Sequence, residues 1–121
     1  MQIDSSQTTT QDDLLIECNV QSAPNTWDEI KLISPDGSSG IEAVGYVNGT
    51  TQKDNNTYQV TVVSAESNVS IGLLFPNTTK HCFARRNYTC LLYDRNNVIV
   101  ETMTYVSIPG IYDNYLIIHW Y

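Results

Sequence analysis

Cys82-Phe83-Ala84-Arg85-Arg86-Asn87-Tyr88-Thr89-Cys90, set beside Leu14-Leu15-Ile16-Glu17-Cys18, decides how this chain folds. Leu14, Ile16, Cys18 and Val20 alternate with Glu17 and Asn19, the period of two expected of a strand with one buried face. The other stretch ends in Tyr-x-Cys, and its last cysteine lies 72 residues after Cys18. That separation suits two strands facing each other across a two-sheet sandwich, with a disulfide as the staple between the sheets.

Working outward, the chain reads as short strands between turns. Residues 1–12 are polar and fit an exposed edge strand or a loose lead-in. Ala23-Pro24-Asn25 ends the Cys18 strand, and Asp28 to Ser34 follows with Ile30 and Leu32 on one face. Pro35-Asp36-Gly37 is a turn, because Pro presets φ and Gly accepts a positive φ. Ile41 to Val47 is closed by the hairpin signal Asn48-Gly49, and Thr50 to Asn56 reads as a polar loop. Tyr58 to Val63 and Val69 to Phe75 are further strands. Cys90 to Asp94 continues the Tyr-x-Cys strand, Arg95-Asn96-Asn97 turns, and Val98 to Ile108 returns. No helical periodicity runs for a dozen positions. Strands spaced by turns every 8 to 12 residues predict an all-β, two-sheet antiparallel sandwich of Greek-key type.

At 121 residues the chain is one domain, long enough to bury about two-thirds of its unfolded surface. Six Lys and Arg against thirteen Asp and Glu give a net charge of −7, a field that repels nucleic-acid phosphate and anionic membrane surfaces. Asn-x-Ser/Thr sequons at Asn48, Asn55, Asn68, Asn77 and Asn87 favour passage through a secretory pathway and an extracellular, sugar-coated surface. Three cysteines fit an oxidising compartment, with one pair and one left over. No signal peptide or membrane-spanning run is present in these residues, which suggests a mature ectodomain, or a piece of one, with Met1 an added start.

With Leu14–Cys18 and Tyr88-Thr89-Cys90 in these positions, residues 5–107 resemble the immunoglobulin superfamily. The resemblance implies a Cys18–Cys90 disulfide between the sheets and a corner tyrosine at Tyr88, its hydroxyl bonded back to nearby backbone. In the family's lettering Thr8 to Val20 supplies strands A and B, Asp28 to Ser34 strand C, and Ile41 to Val47 strand C′. Tyr58 to Val63 and Val69 to Phe75 are D and E, and the last two strands are F and G. Strand C′ and the cysteine spacing point to a variable or intermediate set. The chain departs from the family in three places. Strand C has Ile30 and Leu32 where a tryptophan usually packs on the disulfide, and Trp27 stands too early for that place. Ala84 and Arg86 replace the usual Asp and Gly/Ala, so the Asp of the Asp-to-Arg bridge at the sandwich base is missing. Cys82, eight residues before Cys90, together with Ile30-Lys-Leu-Ile-Ser-Pro-Asp-Gly37, is similar to the invertebrate domains of mollusc fibrinogen-related lectins.

Cys82 is open to three readings: a buried free thiol, an intermolecular bridge, or one half of a pair whose partner this chain lacks. Three cysteines with His81 and His119 lack the spacing of a zinc site, so no metal or other cofactor is expected. No nucleophile elbow, phosphate loop or His-Glu-x-x-His is present, and the carboxylates fall at turns or outward positions, so no enzyme is expected and no catalytic residue is named. Lys80, Arg85 and Arg86 form the one basic cluster and read as a solvated loop.

The outward positions carry more information. If Ile30, Leu32, Tyr88, Cys90 and Leu92 face the core, then Lys31, Ile33, Leu91 and Tyr93 face away from it. On the last strand either parity leaves bulk outside: Ile99, Met103 and Tyr105, or their neighbours Val98 and Val100. An apolar outer face on strands C, F and G calls for a cover. Four of the five sequons lie on the C′, D and E side, and Asn87 stands at the start of F. The cover is either a partner or residues 108–121 folding back. That tail, with Tyr112, Tyr115, Leu116, Ile117, Ile118, Trp120 and Tyr121, is too short to span a bilayer. It is an added strand or the start of a following domain, beyond an immunoglobulin-like domain at residues 1–108.

These residues lead to an extracellular recognition or adhesion domain of immune or self/non-self type. It would bind a protein, another copy of itself or a foreign surface, through Lys31, Ile33, Leu91, Tyr93, Ile99, Met103 and Tyr105. Two alternatives stand beside it: a carbohydrate-binding sandwich using Tyr93 and Tyr105, and a virus-encoded immunoglobulin-like decoy.

Overall fold

The computed structural model of the chain describes residues 1–7, 12–35, 40–54, 56–95 and 97–106. Their regular structure is almost all β: β1 (Gln2–Gln7), β2 (Leu14–Val20), β3 (Glu29–Ser34), β4 (Ile41–Tyr46), β5 (Thr51–Lys53), β6 (Gln59–Ala65), β7 (Asn68–Phe75), β8 (Arg86–Asp94) and β9 (Asn97–Val106). A 3-10 turn at Lys80–Cys82 precedes β8. The strands form two antiparallel sheets, ordered β1-β2-β7-β6 and β5-β4-β3-β8-β9. The all-β sandwich expected from the turn spacing is the fold observed.

Inward residues of both sheets make one core. Leu14, Ile16, Ile71, Leu73 and Phe75 come from one sheet, Ile30, Leu32, Tyr88 and Leu92 from the other, and all are fully buried. Trp27, just ahead of β3, joins this core. Cys18 of β2 and Cys90 of β8 are disulfide-bonded across the sheets, with Cα atoms 6.4 Å apart. In the chain-entropy account, closing so long a loop stabilises the fold by about 4 kcal/mol. One end of the core is aromatic: Phe75 and Phe83 stack with centroids 4.6 Å apart, and Tyr58 lies tilted on Phe75 at 5.3 Å.

Three local readings are corrected. The first strand lies at Gln2–Gln7 and pairs with β2 from Gln2↔Asn19 to Gln7↔Leu14, ahead of the Thr8 start expected of strand A. Ile3 alone anchors it in the core, so no alternation betrays it. Thr51–Lys53, read as loop, is a strand paired to β4. Its side chains are all exposed, so backbone bonds and the Asn48-Gly49 turn hold it rather than burial. Gly49 takes φ 93°, and its N–H donates to the Tyr46 carbonyl at 2.9 Å. The third correction is the 3-10 turn at Lys80–Cys82, which no periodicity announces because it is three residues long. β9 ends at Val106; the boundary at residue 108 and the tail after it lie outside the described residues.

Candidate partner-binding face

Because Ile30, Leu32, Tyr88, Cys90 and Leu92 are fully buried on the inner side, the alternate residues of β3 and β8 point outward. Strand register then builds rows across the five-stranded sheet. One row runs Gln52, Val44, Lys31, Leu91 and Glu101 from β5 to β9. The next runs Glu42, Ile33, Thr89 and Met103. On the far side of the first, Tyr46, Glu29 and Tyr93 align. Val44 is buried yet stands outside the core cluster, so the residues flanking it on this outer face cover it. The Lys31 ammonium lies 5.0 Å from the centre of the Tyr93 ring, a cation–π contact made on the face itself.

β9 settles which parity is outside. Met103 and Tyr105 point outward and are 61% and 57% exposed. A register shift at Leu92/Tyr93 pairs Leu92 with Val100 and Tyr93 with Val98, leaving Ile99 as the extra residue. Both Val98 and Ile99 are exposed there, while Val100 packs against the core. A bulge of this kind cannot be read from alternation, because it breaks alternation. All seven residues expected on the face lie on this sheet; Lys31, Ile33, Leu91 and Tyr93 are half-buried, and Ile99, Met103 and Tyr105 are the open ones. Val44 and Tyr46 of β4 belong to the same surface and were not foreseen.

The described sequons are spread over both sheets. Asn48 sits in the β4–β5 turn, its side-chain oxygen accepting from the Thr50 N–H at 3.0 Å and hydroxyl at 2.7 Å. Asn68 begins β7 and Asn77 follows its end; Asn55 lies outside the described residues. Asn87 is different: it is exposed on β8 directly opposite Tyr105 of β9. One sequon therefore stands on the outer face itself. The parity of Tyr88 already implied it.

The sandwich base corrects the reading of Lys80, Arg85 and Arg86 as a solvated loop. Lys80 and Arg86 are buried, and Arg85 alone is exposed. The Lys80 ammonium donates to the Asp12 carbonyl at 2.8 Å and pairs with its carboxylate at 3.1 Å. The Arg86 guanidinium donates to the Cys82 carbonyl at 2.7 Å and lies 5.1 Å from the Phe83 ring centre. These cations close the bottom of the core. Tyr88 donates its hydroxyl to the Phe83 carbonyl at 2.5 Å, the expected tyrosine corner. Burial pushes the Tyr88 hydroxyl's pKa well above its usual value, with nearby Arg86 pulling the other way. Burial likewise raises that of Tyr58, whose hydroxyl donates to the Asp54 carboxylate at 2.5 Å.

Cys82 is a free thiol and exposed, which overturns its reading as a buried one. Among the described residues no group of three or more His, Cys, Asp or Glu is placed to hold a metal ion; His119 lies outside them. No helix among them is long and apolar enough to cross a membrane.

Neither a protein-family model nor a curated protein matches the chain. Two antiparallel sheets joined by a buried disulfide fit an immunoglobulin-like fold.

Proposed function

We propose that this chain is an extracellular recognition domain of the immunoglobulin superfamily, of immune or self/non-self type, that binds a protein through the outer face of β3, β8 and β9. The observation that carries the reading is the pair Met103 and Tyr105, exposed on one side of an edge strand and continuous with Leu91, Ile33 and Tyr93. Exposed apolar patches of this kind mark interaction sites on soluble domains. Aromatic residues and Met are also the types enriched where interfaces form. The rim is polar, with Glu29, Glu42 and Glu101 in the same rows. The inter-sheet disulfide supports an oxidising, extracellular setting. Mollusc-type defence lectins remain the subgroup it resembles, on Cys82 and the Ile30–Gly37 segment.

Sedimentation of the unglycosylated chain, with and without Met103→Glu and Tyr105→Glu together, tests the reading. A concentration-dependent dimer abolished by the pair of changes makes the contact homophilic. A monomer that binds another extracellular protein, and loses it on the same changes, makes it heterophilic. Binding that both changes leave untouched removes the face from the account.

A further inference from the structure

Asn87-Tyr88-Thr89 is an N-glycosylation sequon laid along the outer face. Tyr88 is fully buried, so Asn87 and Thr89 both point away from the core. Asn87 is exposed and stands directly opposite Tyr105, while Thr89 stands opposite Met103. Directly opposed positions bring Cβ atoms to about 4.5–5.5 Å, within reach of an aromatic ring. The strand start is fixed as well: buried Ser34 donates its hydroxyl to the Asn87 carbonyl at 2.7 Å. A sugar ring attached to the Asn87 amide would leave the sheet beside the two most exposed apolar side chains of β9. The apolar C–H face of a sugar suits the faces of Tyr105 and the thioether of Met103, and covering them removes exposed apolar surface.

We infer that Asn87 is a glycan-bearing gate of this face. The first sugar of an N-linked chain on Asn87 lies against Tyr105 and Met103 and closes that end of the sheet to a protein partner. The gate rests on the partner-binding reading of the face; the sugar contact does not. Glycosylated and bare molecules then present different surfaces. The bare form offers the whole face, and the glycosylated form only its Leu91 and Tyr93 end.

Met103 is itself the probe, because an exposed methionine is oxidised to its sulfoxide by peroxide and a covered one is protected. The test uses chain secreted from glycosylating cells, at a concentration where it sediments as a monomer. Occupancy of Asn87 and the rate of Met103 oxidation are read by peptide mass spectrometry. Met103 should oxidise about threefold faster or more in Asn87→Gln than in glycosylated wild type. Trimming the glycan to its first sugar should keep most of the protection, and Asn68→Gln, which removes the sequon at the start of β7 on the other sheet, should leave the rate unchanged. An unoccupied Asn87 in the secreted chain overturns the inference, as does an equal rate in wild type and Asn87→Gln. Partner binding by the bare chain tests the face alone; weaker binding by the Asn87 glycoform than by Asn87→Gln tests the gate. The two can therefore fail separately.

Discussion

The hydroxyl of Tyr88 donates to the carbonyl of Phe83 five residues upstream, and the ring it belongs to is fully buried two residues ahead of Cys90 on β8. That bond ties the 3-10 turn at the base of the sandwich to β8. Removing it with Tyr88→Phe leaves a carbonyl without its partner at a buried site, a loss of about 1–3 kcal/mol. Chemical denaturation of wild type and variant at neutral pH measures it.

The same hydroxyl, with that of Tyr58, makes stability fall in alkali. Burial raises both pKa values in the folded chain, so an unfolded chain gives up these protons first. Their contribution is complete below the ordinary tyrosine pKa of about 10 and is lost as pH rises beyond it. Denaturation midpoints should hold steady up to about pH 9.5 and fall steeply above it. Tyr88→Phe should flatten that fall.

The inner residues of β2, β3 and β8 were legible in the sequence because they obey a period of two, and the disulfide and the corner tyrosine because the family resemblance implied them. β5 was not, and β1 was legible only as one of two readings of residues 1–12, since a strand held by backbone pairing at a sheet edge carries little hydrophobic pattern. The outward positions of β3 and β8 were legible by the same alternation, but on β9 alternation left both parities open, and the bulge at Leu92/Tyr93 exposes Val98 and Ile99 together. Burial of Lys80 and Arg86 was hidden, because a charged residue enters a core only when tertiary partners such as the Asp12 and Cys82 carbonyls meet it.

Gly45 is an inward position on β4 where the opposite sheet comes close. A Cβ there would lie 2.7 Å from the Val62 Cβ and 3.3 Å from the Ile30 Cγ2. The Val62 Cβ cannot rotate away. Gly45→Ala should therefore destabilise the fold by about 1–3 kcal/mol, although it adds a single methyl. Thermal unfolding of the variant shows the effect as a lowered Tm.

Glu66 sits at φ 57° in the two-residue turn between Ala65 and Asn68. A side chain there costs about 1–2 kcal/mol, part of which glycine recovers against its greater freedom when unfolded. Glu66→Gly should raise stability by about 0.5 kcal/mol, measurable as a shifted denaturation midpoint.

Cys82 should react with an alkylating reagent in the folded chain, while Cys18 and Cys90 stay closed until reduction. Non-reducing peptide mapping after alkylation shows this directly. A Cys82 found in place of Cys18 or Cys90 in the bridge would contradict the sheet pairing.

The proposed function turns on Met103 and Tyr105, and one comparison tests it most directly: the unglycosylated wild type against Met103→Glu with Tyr105→Glu. Both residues are exposed, so the pair of changes should move stability by no more than about 0.5 kcal/mol each. Sedimentation for self-association and binding to an array of extracellular proteins are run on both forms. The account predicts that wild type engages a protein in one of these and that the variant binds it about 100-fold more weakly. Equal binding by the two forms would contradict it.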